Sequence, residues 1–270
     1  MASRSWFAAL ALLFIAGPRV SADEPAPGVI LVVPQKEYQT LEPILVVIQA
    51  PKGLASLPTS LDEKAPLRIE ISPPVKPRKG AKPLPVEAKV DKAQARIYDL
   101  LEWYQFPNEG TFTLRAIVQN GTQSATSASA TITLRQPVKG DFERTAVERL
   151  HHLPWSNYCT DCFCGDTFDV VKNWPKSRFV PYCHYWNGIF SQYKKEHDKA
   201  AASFRLLLDQ HPTFVLADHA AIGLAESLIA QNQRDEALKV LQGRVAPRPN
   251  QVQSEAATTI IRTMLREDGK

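Results

Sequence analysis

The chain has 270 residues, 44% hydrophobic and 22% charged, a composition that excludes a disordered or fibrous polymer and leaves room for two ordinary domains. Its formal charge is +4, and Arg4 and Arg19 supply two of those charges within an acid-free leader. A mature chain near +2 argues against nucleic acid or anionic membrane as a partner, because such binding needs concentrated Lys and Arg.

Residues 1–22 carry Arg4, an unbroken apolar run over 6–16, and Val20, Ser21 and Ala22 at the positions where a signal peptidase would cut. That is the layout of a secretory signal peptide. The apolar run is far short of the roughly 20 residues that span a bilayer, and no cysteine follows it closely enough to take a lipid anchor. The expectation is an exported protein, periplasmic or extracellular, with no transmembrane segment after cleavage and with its thiols in an oxidising surrounding.

Residues 23–137 are expected to form an all-β domain. Short runs rich in Val, Ile, Thr and aromatics alternate with Pro, Gly and Asn clusters, which is strand grammar. The expected strands are 29–33, 44–49, 67–72, 86–90, 96–102, 111–119 and 127–134. Leu67, Ile69 and Ile71 share one side, as do Phe112, Leu114, Ala116 and Val118, and later Ile132 and Leu134. Side chains alternate across a strand, so each strand offers one dry and one wet face, the pattern of antiparallel sheets covered on one side. Seven such strands fit an immunoglobulin-like (Ig-like) sandwich. The stretch Asn108-Glu109-Gly110-Thr111-Phe112-Thr113-Leu114 resembles the turn, glycine and aromatic that lead into a late strand of many bacterial Ig-like modules, and Asn120-Gly121 is expected as a two-residue hairpin turn. Asn120-Gly121-Thr122 also matches a glycosylation sequon, which that turn accounts for. Between strands, the proline-rich 73–85 carries Lys76, Arg78, Lys79 and Lys82. It reads first as an extended solvated loop, with a basic finger for an anionic cell-wall polymer or lipid headgroup as the alternative.

Residues 138–165 are expected to hold a linker, a helix over 142–151 and a Cys-rich loop. Cys159, Cys162 and Cys164 crowd into six positions and Cys183 stands apart. An even cysteine count in an exported chain points to two disulfides, with Cys183 joined to one of the other three and the loop thereby tied to the first helix that follows. The alternative is a metal-binding or thiol-redox protein. Cys159, Cys162, Cys164 and Cys183, with His151, His152 or His184, could complete a tetrahedral shell, although the second close cysteine pair of a strong zinc motif is missing. A cysteine–histidine hydrolase is disfavoured, because crowded thiols consume one another. No nucleotide-binding, serine-hydrolase or zinc-protease motif occurs, so no catalytic residue, enzyme activity or cofactor is expected. His197, His211 and His219 read as helix-end or surface residues.

Residues 166–270 turn helical. Ala201, Phe204, Leu207 and Leu208 recur at spacings of three and four, as do Leu224, Leu228, Ala237, Leu238 and Leu241. An internal period of 37 pairs Pro175 with Pro212, Gly188 with Ala225, Ala200 with Ala237 and Phe204 with Leu241. Ala221, Leu224, Ala225, Leu228, Ala237 and Leu241 carry a resemblance to the tetratricopeptide (TPR) family, whose paired helices cross closely at small residues. Asn187 and Ser191 depart from it where large apolar side chains are expected. The resemblance implies a TPR-like helical array, capped by an amphipathic helix over 254–266, with a concave groove lined by Tyr182, Tyr185, Ile189 and Gln192 and then His219, Ile222, Glu226 and Ile229. Such a groove takes a protein or peptide partner; packing of Tyr182 and Tyr185 against the Cys-rich segment is the other reading. The expected whole is an exported, non-enzymatic interaction or scaffold protein of all-β plus all-α architecture.

Overall fold

A computed structural model describes residues 28–50, 56–61, 65–80, 95–138, 144–146, 150 and 160–245. The expected signal peptide, the strand expected at 86–90, most of the helix expected at 142–151 and the capping helix expected at 254–266 lie outside the described residues.

The first half is β. Strands β1 (Ile30–Val32), β3 (Leu45–Gln49) and β6 (Ala95–Asp99) form a three-stranded antiparallel sheet in the order β1-β3-β6. A second, mixed sheet runs β2 (Glu37–Gln39), β10 (Ala130–Arg135), β8 (Gly110–Asn120) and β4 (Leu67–Ser72), with β9 (Gln123–Thr126) also on β8; β2 lies parallel to β10. The alternation read from sequence is present in β4, β8 and β10: Leu67, Ile69, Phe112, Leu114, Ala116, Val118, Ile132 and Leu134 all point into one apolar core, which Val46, Ile48 and Tyr98 complete from the first sheet. A short pair, β5 (Lys76–Pro77) with β7 (Tyr104–Gln105), fastens the start of the proline-rich stretch, and Arg78 Nε donates to the Tyr104 carbonyl at 3.1 Å. That part of the stretch is therefore strand and anchored arginine rather than free loop.

Two strand expectations need correction. The strand expected over 96–102 stops at Asp99, because Asp99 Oδ1 accepts from Leu101 N at 3.0 Å and so caps the short helix α1 (Leu100–Trp103). A capping side chain substitutes for the missing helical partner of an N-terminal N–H and turns the chain. The strand expected over 127–134 is β10 and begins only at Ala130, and β9, over Gln123–Thr126, is a further strand before it. The hairpin turn falls at Gly121-Thr122, one residue later than expected, between paired Asn120 and Gln123. Gly121 adopts φ +58 there, which glycine tolerates without steric cost.

The second half is helical: α2 (Thr160–Asn173), α3 (Val180–Tyr193), α4 (His197–Gln210), α5 (Ala217–Ala230) and α6 (Arg234–Val245). Because α2 begins at Thr160, Cys162 and Cys164 stand on a helix and not in a loop. Starts of α2, α4 and α6 are 37 residues apart, as are those of α3 and α5. The turns keep the same spacing. Lys195 and Asn232 both have positive φ, and Glu196 N bonds Ser191 O as Gln233 N bonds Leu228 O, each at 2.8 Å.

Sequential helices pack closely because small residues face each other. Ala200, Ala225 and Ala237 are fully buried. At Gly188 an added Cβ would sit 2.5 Å from Phe204 Cε1, and at Gly223 it would sit 2.5 Å from Phe204 Cζ. The ring thus fills a slot between α3 and α5 that two glycines leave open. Asn187, the departure noted above, accepts a hydrogen bond from the Thr167 hydroxyl inside the α2–α3 contact; a buried polar side chain is accommodated there by a partner on the facing helix.

Candidate functional site

β3 reads Leu45-Val46-Val47-Ile48 with both faces buried, unlike the half-wet strands of the other sheet. Val46 and Ile48 enter the core between the sheets, whereas Leu45 and Val47, with Ile97 of β6, join the core of the helical array. The three-stranded sheet is therefore a middle layer. Its outer face joins the core that the helices share, and the line of contact forms a seam.

A polar cluster sits at one end of that seam. Leu41, at φ +68, turns the chain after β2 and brings Glu42 back onto it: Gln39 N donates to Glu42 Oε2 at 2.8 Å, and Glu42 N donates to Gln39 O at 3.0 Å. Glu42 is 0% exposed. Arg178, in the turn before α3, reaches across to it with Nη2 3.2 Å from Glu42 Oε1. The same guanidinium donates to Gln35 Oε1 at 2.6 Å and to the Glu37 carbonyl at 3.0 Å. Gln35 Nε2 in turn donates to the Tyr182 hydroxyl at 3.2 Å, and the Tyr182 ring meets Phe214 edge-on at 4.8 Å between centroids. Asp99 Oδ1 accepts from Ile44 N at 3.0 Å, which fixes the start of β3 beside the cluster.

Burial dominates the electrostatics. It pushes the Glu42 carboxyl up to about 7 against the opposing pull of Arg178 and of the Gln39 and Gln35 hydrogen bonds. It also raises Asp99, helped by the Glu102 charge, and lifts the Tyr38 and Tyr182 hydroxyls with help from Glu42. Desolvation disfavours the charged form of any acid. The cluster holds its carboxylates in backbone hydrogen bonds.

Of the eight residues expected to line an open groove, five are buried in the fold: Tyr182, Tyr185, Ile189, His219 and Ile222. Tyr182 belongs to the seam, and Tyr185 faces Phe204 and Trp186 inside the helix packing. Gln192, Glu226 and Ile229 are half-buried, and Gln192 Nε2 donates to the Gly223 carbonyl at 2.8 Å and to the Ser227 hydroxyl at 3.1 Å. The aromatic end of the expected groove is covered, in part by the chain's own sheet.

Among the cysteines, Cys159 lies outside the described residues, as do the side chains of Cys162 and Cys164. Cys183 is a free thiol, wholly buried, so the expected bridge from the Cys-rich segment to it is not formed. Helix α3 turns Cys183 into the apolar core, where burial raises its thiol far above the ordinary range; a buried cysteine behaves as a small hydrophobe. The thiolate that a metal or redox role would need is disfavoured at this position. Among the described residues no three His, Cys, Asp or Glu side chains cluster as metal ligands would, and no helix is long and apolar enough to cross a membrane. His184, the remaining described candidate ligand, is buried and pushed down to about 4 by desolvation and by His211.

Gln35, Glu42, Asp99 and Arg178 were not singled out from sequence. One signal was available: the run from Ile44 to Ile48 is apolar without alternation, which marks a strand covered on both faces. The carboxylate just before it sits at the end of such a strand and shares its burial. No protein-family model matches the sequence, and no curated protein is significantly similar to it.

Proposed function

We propose that this chain is an exported, non-enzymatic protein-interaction or scaffold protein that joins an Ig-like module to a TPR-like helical array. The observation that carries the reading is the recurrence at 37 residues of helix starts, positive-φ turn residues and turn hydrogen bonds from Thr160 to Val245, around a ring slot built from Gly188 and Gly223. Stacked helix pairs of this kind offer an extended surface for another chain. With Tyr182 committed to the seam, the part of the concave face left for a protein or peptide partner is the half-buried rim of Gln192, Glu226 and Ile229. Fold analogy is the warrant for this role, and the near-neutral mature charge agrees with a protein rather than a polyanion as partner.

The test is recovery of partners by cross-linking and pull-down from the envelope or secreted fraction, comparing the natural chain with Glu226→Ala and Glu226→Arg. Loss of one specific partner in both variants, with unchanged thermal stability, is the expected outcome. Equal recovery by all three forms contradicts a binding role for this rim.

A further inference from the structure

We propose that the Glu42–Arg178 contact is a proton-linked latch, which closes β2 and the turn after it onto the turn before α3 in acid and loosens it as the medium becomes alkaline. The inference is independent of the interaction role proposed above, since it concerns an internal contact of this chain.

Geometry makes the contact a latch. Glu42 is held by its own turn, through two backbone hydrogen bonds to Gln39, so it stays with β2 and β3. Arg178 belongs to the turn leading into α3, and its guanidinium binds three acceptors on the sheet side, Gln35, Glu37 and Glu42. Separating α3 and the turn before it from β2 and the turn after it would break all three contacts, release the Gln35–Tyr182 hydrogen bond and expose Glu42 to water. The ionisable groups facing Glu42 are Arg178 from the turn before α3, Tyr38 from β2 and Tyr182 from α3. Asp99, on β6, faces the same two tyrosines. The tyrosines hold their protons tightly, and Asp99 takes its two backbone donors from Ile44 N and Leu101 N, neither of which belongs to α3. Glu42 is the carboxylate in direct contact with Arg178.

The direction follows from which state binds the proton. Closed, the carboxyl titrates at about 7; open, it returns towards the ordinary glutamate range, near 4.3. The closed state therefore binds the proton more tightly, and its advantage is full below the open-state value and is lost as pH rises through neutrality. Arg178 reduces this cost of the charged form without cancelling it, because desolvation of a buried carboxylate exceeds one partly exposed ion pair.

The experiment is hydrogen–deuterium exchange of the full chain at pH 5, pH 8 and steps between and above them up to pH 10, corrected for intrinsic exchange rates. Peptides over 37–49 and 174–186 report the seam, and peptides over β8 and β10 serve as the internal reference. For the natural chain, the seam opening constant should rise on the order of 50-fold between pH 5 and pH 8, while the reference stays constant. Glu42→Gln keeps the shape and cannot ionise, so its seam should stay closed at pH 8 with most of the rise gone. Arg178→Gln should make the rise continue to a higher pH before it levels, because the opposing positive charge is removed. Equal corrected protection at pH 5 and pH 8, a rise towards acid, full retention of the rise in Glu42→Gln, or levelling of Arg178→Gln at the natural pH each overturns the proposal.

Discussion

The slot that holds Phe204 gives a quantitative test of the helical packing. Replacing Gly188 by alanine adds one methyl group 2.5 Å from Phe204 Cε1. The ring cannot retreat to the other side, because the Gly223 position leaves only a similar gap beside Cζ. Overpacking of a filled core costs about 1–3 kcal/mol, and the clamped ring puts this site near the upper end. Alanine in a helix interior is favoured over glycine by about 1 kcal/mol, so the net expectation is destabilisation of about 2 kcal/mol. Gly243, in α6 and with nothing within 4 Å of an added Cβ, is the control: Gly243→Ala should stabilise by about 0.5–1 kcal/mol. Urea unfolding followed by tryptophan fluorescence would measure both, because Trp186 lies in the same core. Phe204→Leu should also cost less in the Gly188→Ala background than in the natural chain, a coupling that a double-mutant cycle reads directly. If Gly188→Ala proves as stable as Gly243→Ala, the close crossing of α3 with its neighbours is wrong.

Three further outcomes follow from the buried polar groups. His184 is neutral in the fold and pushed down to about 4, so its contribution is full above about pH 6.5 and is lost as pH falls towards 4. His184→Gln should flatten an acid loss of up to about 3 kcal/mol in urea unfolding measured across that window; an unchanged acid limb contradicts the burial of this imidazole. Asp99→Ala removes the acceptor for both Ile44 N and Leu101 N and should lower stability by about 2 kcal/mol or more, read as a fall in urea midpoint without a change in slope. Cys183 should resist iodoacetamide in the native chain and react fully in denaturant, as peptide mass spectrometry would report; rapid native labelling contradicts its place in the core.

The two grammars were legible in the sequence. Alternation in β4, β8 and β10 marked their inner faces, and apolar spacings of three and four marked the buried faces of α4, α5 and α6, because periodicity is a local property of the chain. What escaped was long-range. Gly223 lies 35 residues from Gly188, outside the 37-residue pairing, yet it closes the other side of the Phe204 slot. Tyr182 looks in sequence like a groove residue, and only the path of the chain brings Gln35 to its hydroxyl, 147 positions away. Arg178 and Glu42 pair across a similar distance. Lys195 and Asn232 take positive φ without glycine, so the turns they form carried no glycine signal.

Calorimetric unfolding of the mature full-length chain is the most direct test of the claim that Leu45, Val47 and Ile97 weld the sheet to the helices in one shared core. A single transition is expected, with calorimetric and van't Hoff enthalpies equal. Two separable transitions, with Val47→Ser shifting only one of them, would show that the two layers melt independently and that the shared core does not hold.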